Sequence, residues 1–225
     1  MSGLAVLRTL TASRSGVAAT EFALSLPLLL TAGLYGVETA NQAVMQMRVS
    51  QIAVLIADNA SRVGENSLLG ETKIYESDIN DVFYGANVEG GSHFNLYDRG
   101  RVILSSLEVV PGTEDQQYIH WQRCMGKKEY PSSYGNAGDG IDSEMPGMGP
   151  PGEEIVAIDD EAVMFVEVVW DYQPLVGGIF TNVDQLHATA AFNVRENRDL
   201  TQIYQRDAAK PVPVATCDKN DGVDA

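Results

Sequence analysis

Residues 17–37 carry one charged side chain, Glu21, and that sparseness constrains the chain more than any other feature. As a helix rising 1.5 Å per residue, the stretch matches a hydrocarbon core about 30 Å thick. Arg8 and Arg14 precede it, while Glu38-Thr-Ala-Asn41 follows. The positive-inside rule then predicts a cytoplasmic N-terminus and an outward-facing remainder from about residue 40. A secretory signal peptide is the competing reading, with Arg14 in its basic region. It fits less well, because the apolar run exceeds a typical signal core and leads into a helical pattern. Met45, Val49, Ile52, Ile56 and Ala60 recur at helical spacing, and the first strong breaker is Gly64. The expected organisation is a leader (1–16), a transmembrane segment (17–37), a helical extension (38–63) and an acidic domain (64–225). Pro27 lies inside the helix and is expected to kink it by freeing the carbonyl of Ala23. Gly33 and Gly36 form a smooth patch without GxxxG spacing.

Charge is distributed unevenly. Within residues 1–60, Arg8, Arg14 and Arg48 balance Glu21, Glu38 and Asp58, so the rest of the chain holds the whole net charge of −16. Such a domain repels phosphate, which argues against nucleic acid or anionic lipid as its partner. It reads most simply as a solvated, exported surface. The chain's two cysteines, Cys124 and Cys217, form no CxxC motif. In an oxidising compartment a disulfide between them is the leading expectation, with two free thiols as the alternative.

Beyond Gly64 the periodicity shortens. Ser77 is a candidate N-cap for a short helix through Asp78, Ile79, Val82 and Phe83. Residues 101–110 read as a strand with Ile103, Leu107 and Val109 on one face. Residues 118–124 form a second candidate, with Ile119 and Trp121 sharing a face. The clearest strand is 161–172, where Ala162, Met164, Val166, Val168, Trp170 and Tyr172 alternate with Glu167 and Asp171. A fourth spans 186–194, with Leu186, Ala188, Ala190 and Phe192 in step. Four such strands after a long helix predict an α+β fold, with an antiparallel sheet packed on helix in a pilin-like arrangement. The Gly/Pro-rich stretch 131–153 reads as a long surface loop, and the tail from Pro211 as irregular.

Reactive constellations are scarce. Asp139, Asp142 and Glu144 lie near one another without EF-hand spacing, and a solvated acidic loop is the simpler reading. His93, His120 and His187 show no paired-ligand spacing. No nucleophile elbow, P-loop or dinucleotide fingerprint is present. We therefore expect a non-enzymatic protein with no cofactor and no metal.

The N-terminal residues match a known pattern. Gly16-Val17 with Glu21 five residues after the glycine, then Phe22, resembles a class IV prepilin processing site. The continuation Glu21-Phe-Ala-Leu-Ser-Leu-Pro27-Leu-Leu-Leu30 through Gly36-Val-Glu38 resembles the TadE-like family of tight-adherence (Tad/Flp) pilus proteins. Segments Ser105–Val110, Trp121–Cys124 and Glu167–Leu175 are similar to that family's periplasmic part. The resemblance implies cleavage after Gly16 by a prepilin peptidase, leaving Val17 as the new N-terminus. It also implies a minor-pilin-like role among other pilin-like subunits and Tad inner-membrane assembly components. The setting would be a bacterial inner membrane, with the acidic domain periplasmic and the protein in, or at the tip of, a pilus. With Val17 terminal, Glu21 lies one helical turn in, about 6 Å deep. There it could pair with a neighbouring subunit's terminal ammonium and set axial register, or else snorkel to the interface unpaired. Two other readings stand beside this one: an uncleaved membrane-anchored periplasmic scaffold or binding protein, and a tethered enzyme.

Overall fold

The computed structural model describes residues 15–65, 70–195 and 197–221, so the expected leader lies outside the described residues apart from its last two. Helix α1 spans Ser15–Arg62 and runs through Pro27. It stops where expected, because Gly64 takes φ +145 and a Cβ there would meet the Thr72 side chain at 2.4 Å. Arg198 closes the helix end, donating through Nη2 to the carbonyls of Ala60 (3.1 Å) and Val63 (2.7 Å). A guanidinium there complements the negative end of the helix dipole.

After α1 come α2 (Glu76–Phe94), α3 (Leu96–Arg99), β1 (Gly100–Val109), β2 (Gln117–Met125), β3 (Val163–Asp171) and β4 (Gln185–Asn193). The strands form one antiparallel sheet in the order β2-β1-β3-β4. The arrangement is α+β and consistent with a pilin-like fold. Two compact units make up the chain. One holds the described residues up to Ala43 together with Gln173–Asn182. The other holds Val44–Tyr172 and the described residues from Val183 onward.

In this second unit the C-terminal part of α1 packs on the sheet. Val49, Ile52, Ala53, Ile56, Ala57 and Ala60 are buried, as their helical spacing predicts. They join Val102 and Leu104 of β1 and Met164, Val166, Val168 and Trp170 of β3 in one apolar cluster. Trp170 stacks on Phe94 of α2 at 4.4 Å and donates its indole N–H to the Phe94 carbonyl at 3.1 Å. The start of α2 differs from expectation. Its N-cap is Tyr75, two residues before Ser77, and the Tyr75 N–H donates to Asp78 Oδ2 at 3.1 Å. The carboxylate at the third helical position thus fixes the start, a role the Ser77 hydroxyl does not take.

Two further differences concern the sheet. Ser106 faces Trp121 and Leu107 faces Ile119, which leaves His120 as an extra residue in β2. This bulge reverses the alternation, so Trp121 joins the helix-side cluster while Ile119 lies on the opposite face. The expected shared face for these two residues is therefore wrong. That opposite face is not open to water either. Leu107, Val109, Ile119, Val163 and Phe165 form a second cluster with Met148 and Ala157, flanked by Tyr134 and Met145. The Gly/Pro-rich loop 131–153 is a packed layer over the sheet, not merely a surface excursion.

The sheet itself supplies the polar partners this loop lacks. Gln122 Nε2 donates to the Gly135 carbonyl (2.9 Å), and Gln122 Oε1 accepts from Ala137 N–H (3.2 Å). Gln117 brackets Ala157 in the same way, donating to its carbonyl at 3.0 Å and accepting its N–H at 2.7 Å. Glu167, 3% exposed, accepts from the Ser133 N–H at 3.0 Å and the Ser132 hydroxyl at 3.2 Å. The expected disulfide is present, joining Cys124 to Cys217 with the Cα atoms 4.7 Å apart. Beside it, buried Arg101 donates to the carbonyls of Gly126 (2.9 Å), Lys219 (2.6 Å) and Cys217 (2.7 Å). Burial lowers the pKa of this guanidinium, and Asp221 opposes the shift.

Candidate functional site

The residues singled out for processing open α1. Gly16, Val17, Glu21 and Phe22 are all exposed, and among the described residues the side-chain bonds in these turns are local, from Thr20 Oγ1 to the Val17 carbonyl at 2.8 Å and from Ser25 Oγ to the Phe22 carbonyl at 3.2 Å. A Cβ built on Gly16 would meet nothing within 4 Å. Glycine is disfavoured within a helix by roughly 0.5–1 kcal/mol relative to alanine, and packing among the described residues does not account for it. Leu24, Leu28, Leu29, Leu30 and Leu34 are likewise exposed. The helix is long and apolar enough to cross a membrane, and none of its most apolar window is buried. That exposure sets it apart from a core helix of similar composition, which buries its apolar side chains. At Pro27 the carbonyl accepts the Thr31 hydroxyl at 2.7 Å.

The same compact unit contains a feature that sequence reasoning missed. Glu38, the first residue after the apolar stretch 17–37, is 1% exposed. Its Oε2 accepts the backbone N–H of Val176 at 2.8 Å, and one turn later Gln42 Oε1 accepts the Thr181 hydroxyl at 3.4 Å. The β3–β4 connection, Gln173–Asn182, is thereby held along α1 at Glu38–Gln42. A usable signal existed in the sequence: residues 172–183 carry no charge, between Asp171 and Asp184, in a domain rich in acids.

Elsewhere several titratable groups are structurally engaged. Glu108, 3% exposed, accepts from the Ser106 hydroxyl at 2.6 Å and lies 2.9 Å from His120 Nδ1. The Ser106 hydroxyl is committed to the carboxylate and not to the imidazole, so His120 has no route to its proton. This is not a nucleophile–base arrangement. Burial, then the adjacent Glu108, pushes the Tyr118 phenol up to about 12. His187 packs against the Tyr130 ring, and His93 lies beside the Ser92 hydroxyl. Asp139 accepts the Asn136 N–H, closing a local turn, while Asp142 and Glu144 border a groove of about 780 Å³. Among the described residues, no three His, Cys, Asp or Glu side chains converge as a metal-ligand set.

Comparison of the chain with protein-family models, with curated proteins and with solved structures finds no match.

Proposed function

We propose that the protein is a non-enzymatic, minor-pilin-like component of a Tad (Flp) pilus machine, acting by helix packing between subunits in pilus assembly and adherence. One observation carries this reading. A glycine with no described residue packed against it precedes, by five residues, the lone carboxylate of an exposed apolar helix, and that helix continues into an α+β domain. In this reading Gly16 is required by a prepilin peptidase. Cleavage gives Val17 a free ammonium, and Glu21 of one subunit pairs with that ammonium on a neighbour. A carboxylate within a bilayer is disfavoured by roughly 2.5–3.5 kcal/mol at its centre and less near the interface. Pairing offsets that penalty and favours one axial register over others. The anchor inserts with its N-terminus cytoplasmic, and the acidic domain stands in the bacterial periplasm, where the Cys124–Cys217 bridge is at home.

The test is the intact mass and N-terminal sequence of protein purified from membranes of cells with an active prepilin peptidase. The reading expects Val17 as the first residue. Retention of Met1 would overturn it in favour of an uncleaved, anchored periplasmic scaffold. Glu21→Gln separates the pairing role from cleavage, with normal processing but loss of co-purification with other pilin-like subunits as the expected result.

A further inference from the structure

We infer that the β3–β4 connection, Gln173–Asn182, is a second membrane contact that lies in the headgroup boundary of the outer leaflet beside α1. The inference rests on α1 spanning a membrane, though not on its cleavage or on any pilus.

The argument begins with what the loop exposes. Ile179 is 90% exposed and Leu175 is 67% exposed, so two branched aliphatic side chains stand in water on a ten-residue segment. Scattered single apolar residues on a surface need no account, but here they share one short connection. That connection also lacks charge throughout residues 172–183, while the chain as a whole carries −16. An uncharged, apolar segment is what a zwitterionic lipid boundary accepts and what the flanking acidic surface cannot offer.

Position supplies the second part. The span ends at residue 37, and the Val176 N–H is fastened to Glu38, the next residue along α1. The Thr181 hydroxyl meets Gln42 one turn later. The loop is therefore held at the level where a helix of this length leaves the hydrocarbon. The bond to Val176 also settles the carboxylate: Glu38 is buried against the loop and not presented to the lipid headgroups. Amphipathic segments at this level bury their apolar side chains about 5–10 Å into the boundary. Leu175, Ile179 and the half-buried Phe180 are of the size to do so. Two contacts, one spanning and one interfacial, would restrict rotation of the anchor about its own axis.

The experiment uses the full chain in vesicles of phosphatidylcholine brominated either near the headgroup or deep in the acyl chain. The native Trp121 and Trp170 supply the background. I179W is expected to show blue-shifted emission, quenched more strongly by the shallow bromines than by the deep ones. L29W, within the span, is expected to be quenched chiefly by the deep bromines. Quenching of L29W without any of I179W overturns the loop contact and leaves the anchor intact. If neither tryptophan is quenched, the anchor reading fails and the inference falls with it. A blue shift of I179W without quenching assigns the loop to a protein neighbour, which also overturns the proposal.

Discussion

Both faces of the sheet are covered over β1 and β3, yet they are closed by different chemistry. On the helix side the sheet offers chiefly carbon, with Val102, Leu104, Met164, Val166 and Val168 meeting helices whose backbone groups are already paired, and its Ser106 and Arg123 bond the carboxylates of Glu108 and Glu76. On the loop side it offers a mixture, with Leu107 and Phe165 beside buried Arg101, Ser105, Gln122 and Glu167. A helix arrives with its own hydrogen bonds made, whereas an irregular loop does not. The sheet's side chains therefore serve as the loop's missing ladder. The lesson is that a Gly/Pro-rich segment can form a layer of a core, provided the opposing strands carry amides and carboxylates at the right register.

Leu104 and Leu107 test this contrast directly, because both are fully buried on β1 and point to opposite faces. Leu104→Ala should destabilise the domain by about 4 kcal/mol in urea unfolding, near the top of the range for such changes. Leu107→Ala should cost about 2–3 kcal/mol, since a loop can settle into the cavity where two helices cannot. Equal losses would break the comparison.

Removing the disulfide as Cys124→Ser/Cys217→Ser is of comparable size, up to about 4–5 kcal/mol in the chain-entropy model for the 93-residue separation. A smaller effect is expected from Gln122→Leu, about 1–3 kcal/mol, because the Ala137 N–H and Gly135 carbonyl lose their partner. Hydrogen exchange should then quicken in the loop while α1 stays protected. Uniform quickening would mean that the two faces are not separable.

The smallest effect concerns pH. Burial raises the pKa of the Glu167 carboxyl, against the opposing pull of Ser133, Ser132 and His187. The folded state then holds this proton more tightly than the unfolded chain does. The contribution is full below the unfolded value and is lost as pH rises through the folded one. Glu167→Gln should flatten that decline in unfolding free energies measured upward from about pH 4.

Periodicity made part of this legible. The stripe from Met45 to Ala60 and the alternation from Ala162 to Tyr172 predict α1 and β3 nearly to the residue, because each depends on neighbours within one element. The bulge at His120 was not legible, since one inserted residue leaves no trace in composition yet exchanges the faces of Ile119 and Trp121. The loop layer was hidden for a related reason. Its bonds join Ser133 to Glu167 across 34 residues, a distance that pattern reading does not bridge. The candidate site divides in the same way: the run from Gly16 to Phe22 is visible as a string, whereas Glu38 meets Val176 only through the fold.

Arg101 and Cys217 carry a consequence for how the protein is made. The segment Cys217–Lys219 holds the other member of the disulfide and two of the carbonyls that accept from a buried cation. Until those residues are in place, the Arg101 guanidinium keeps only the Gly126 carbonyl as acceptor and Cys124 has no mate. A chain that ends before Cys217 therefore lacks the disulfide and two of the three acceptors of Arg101.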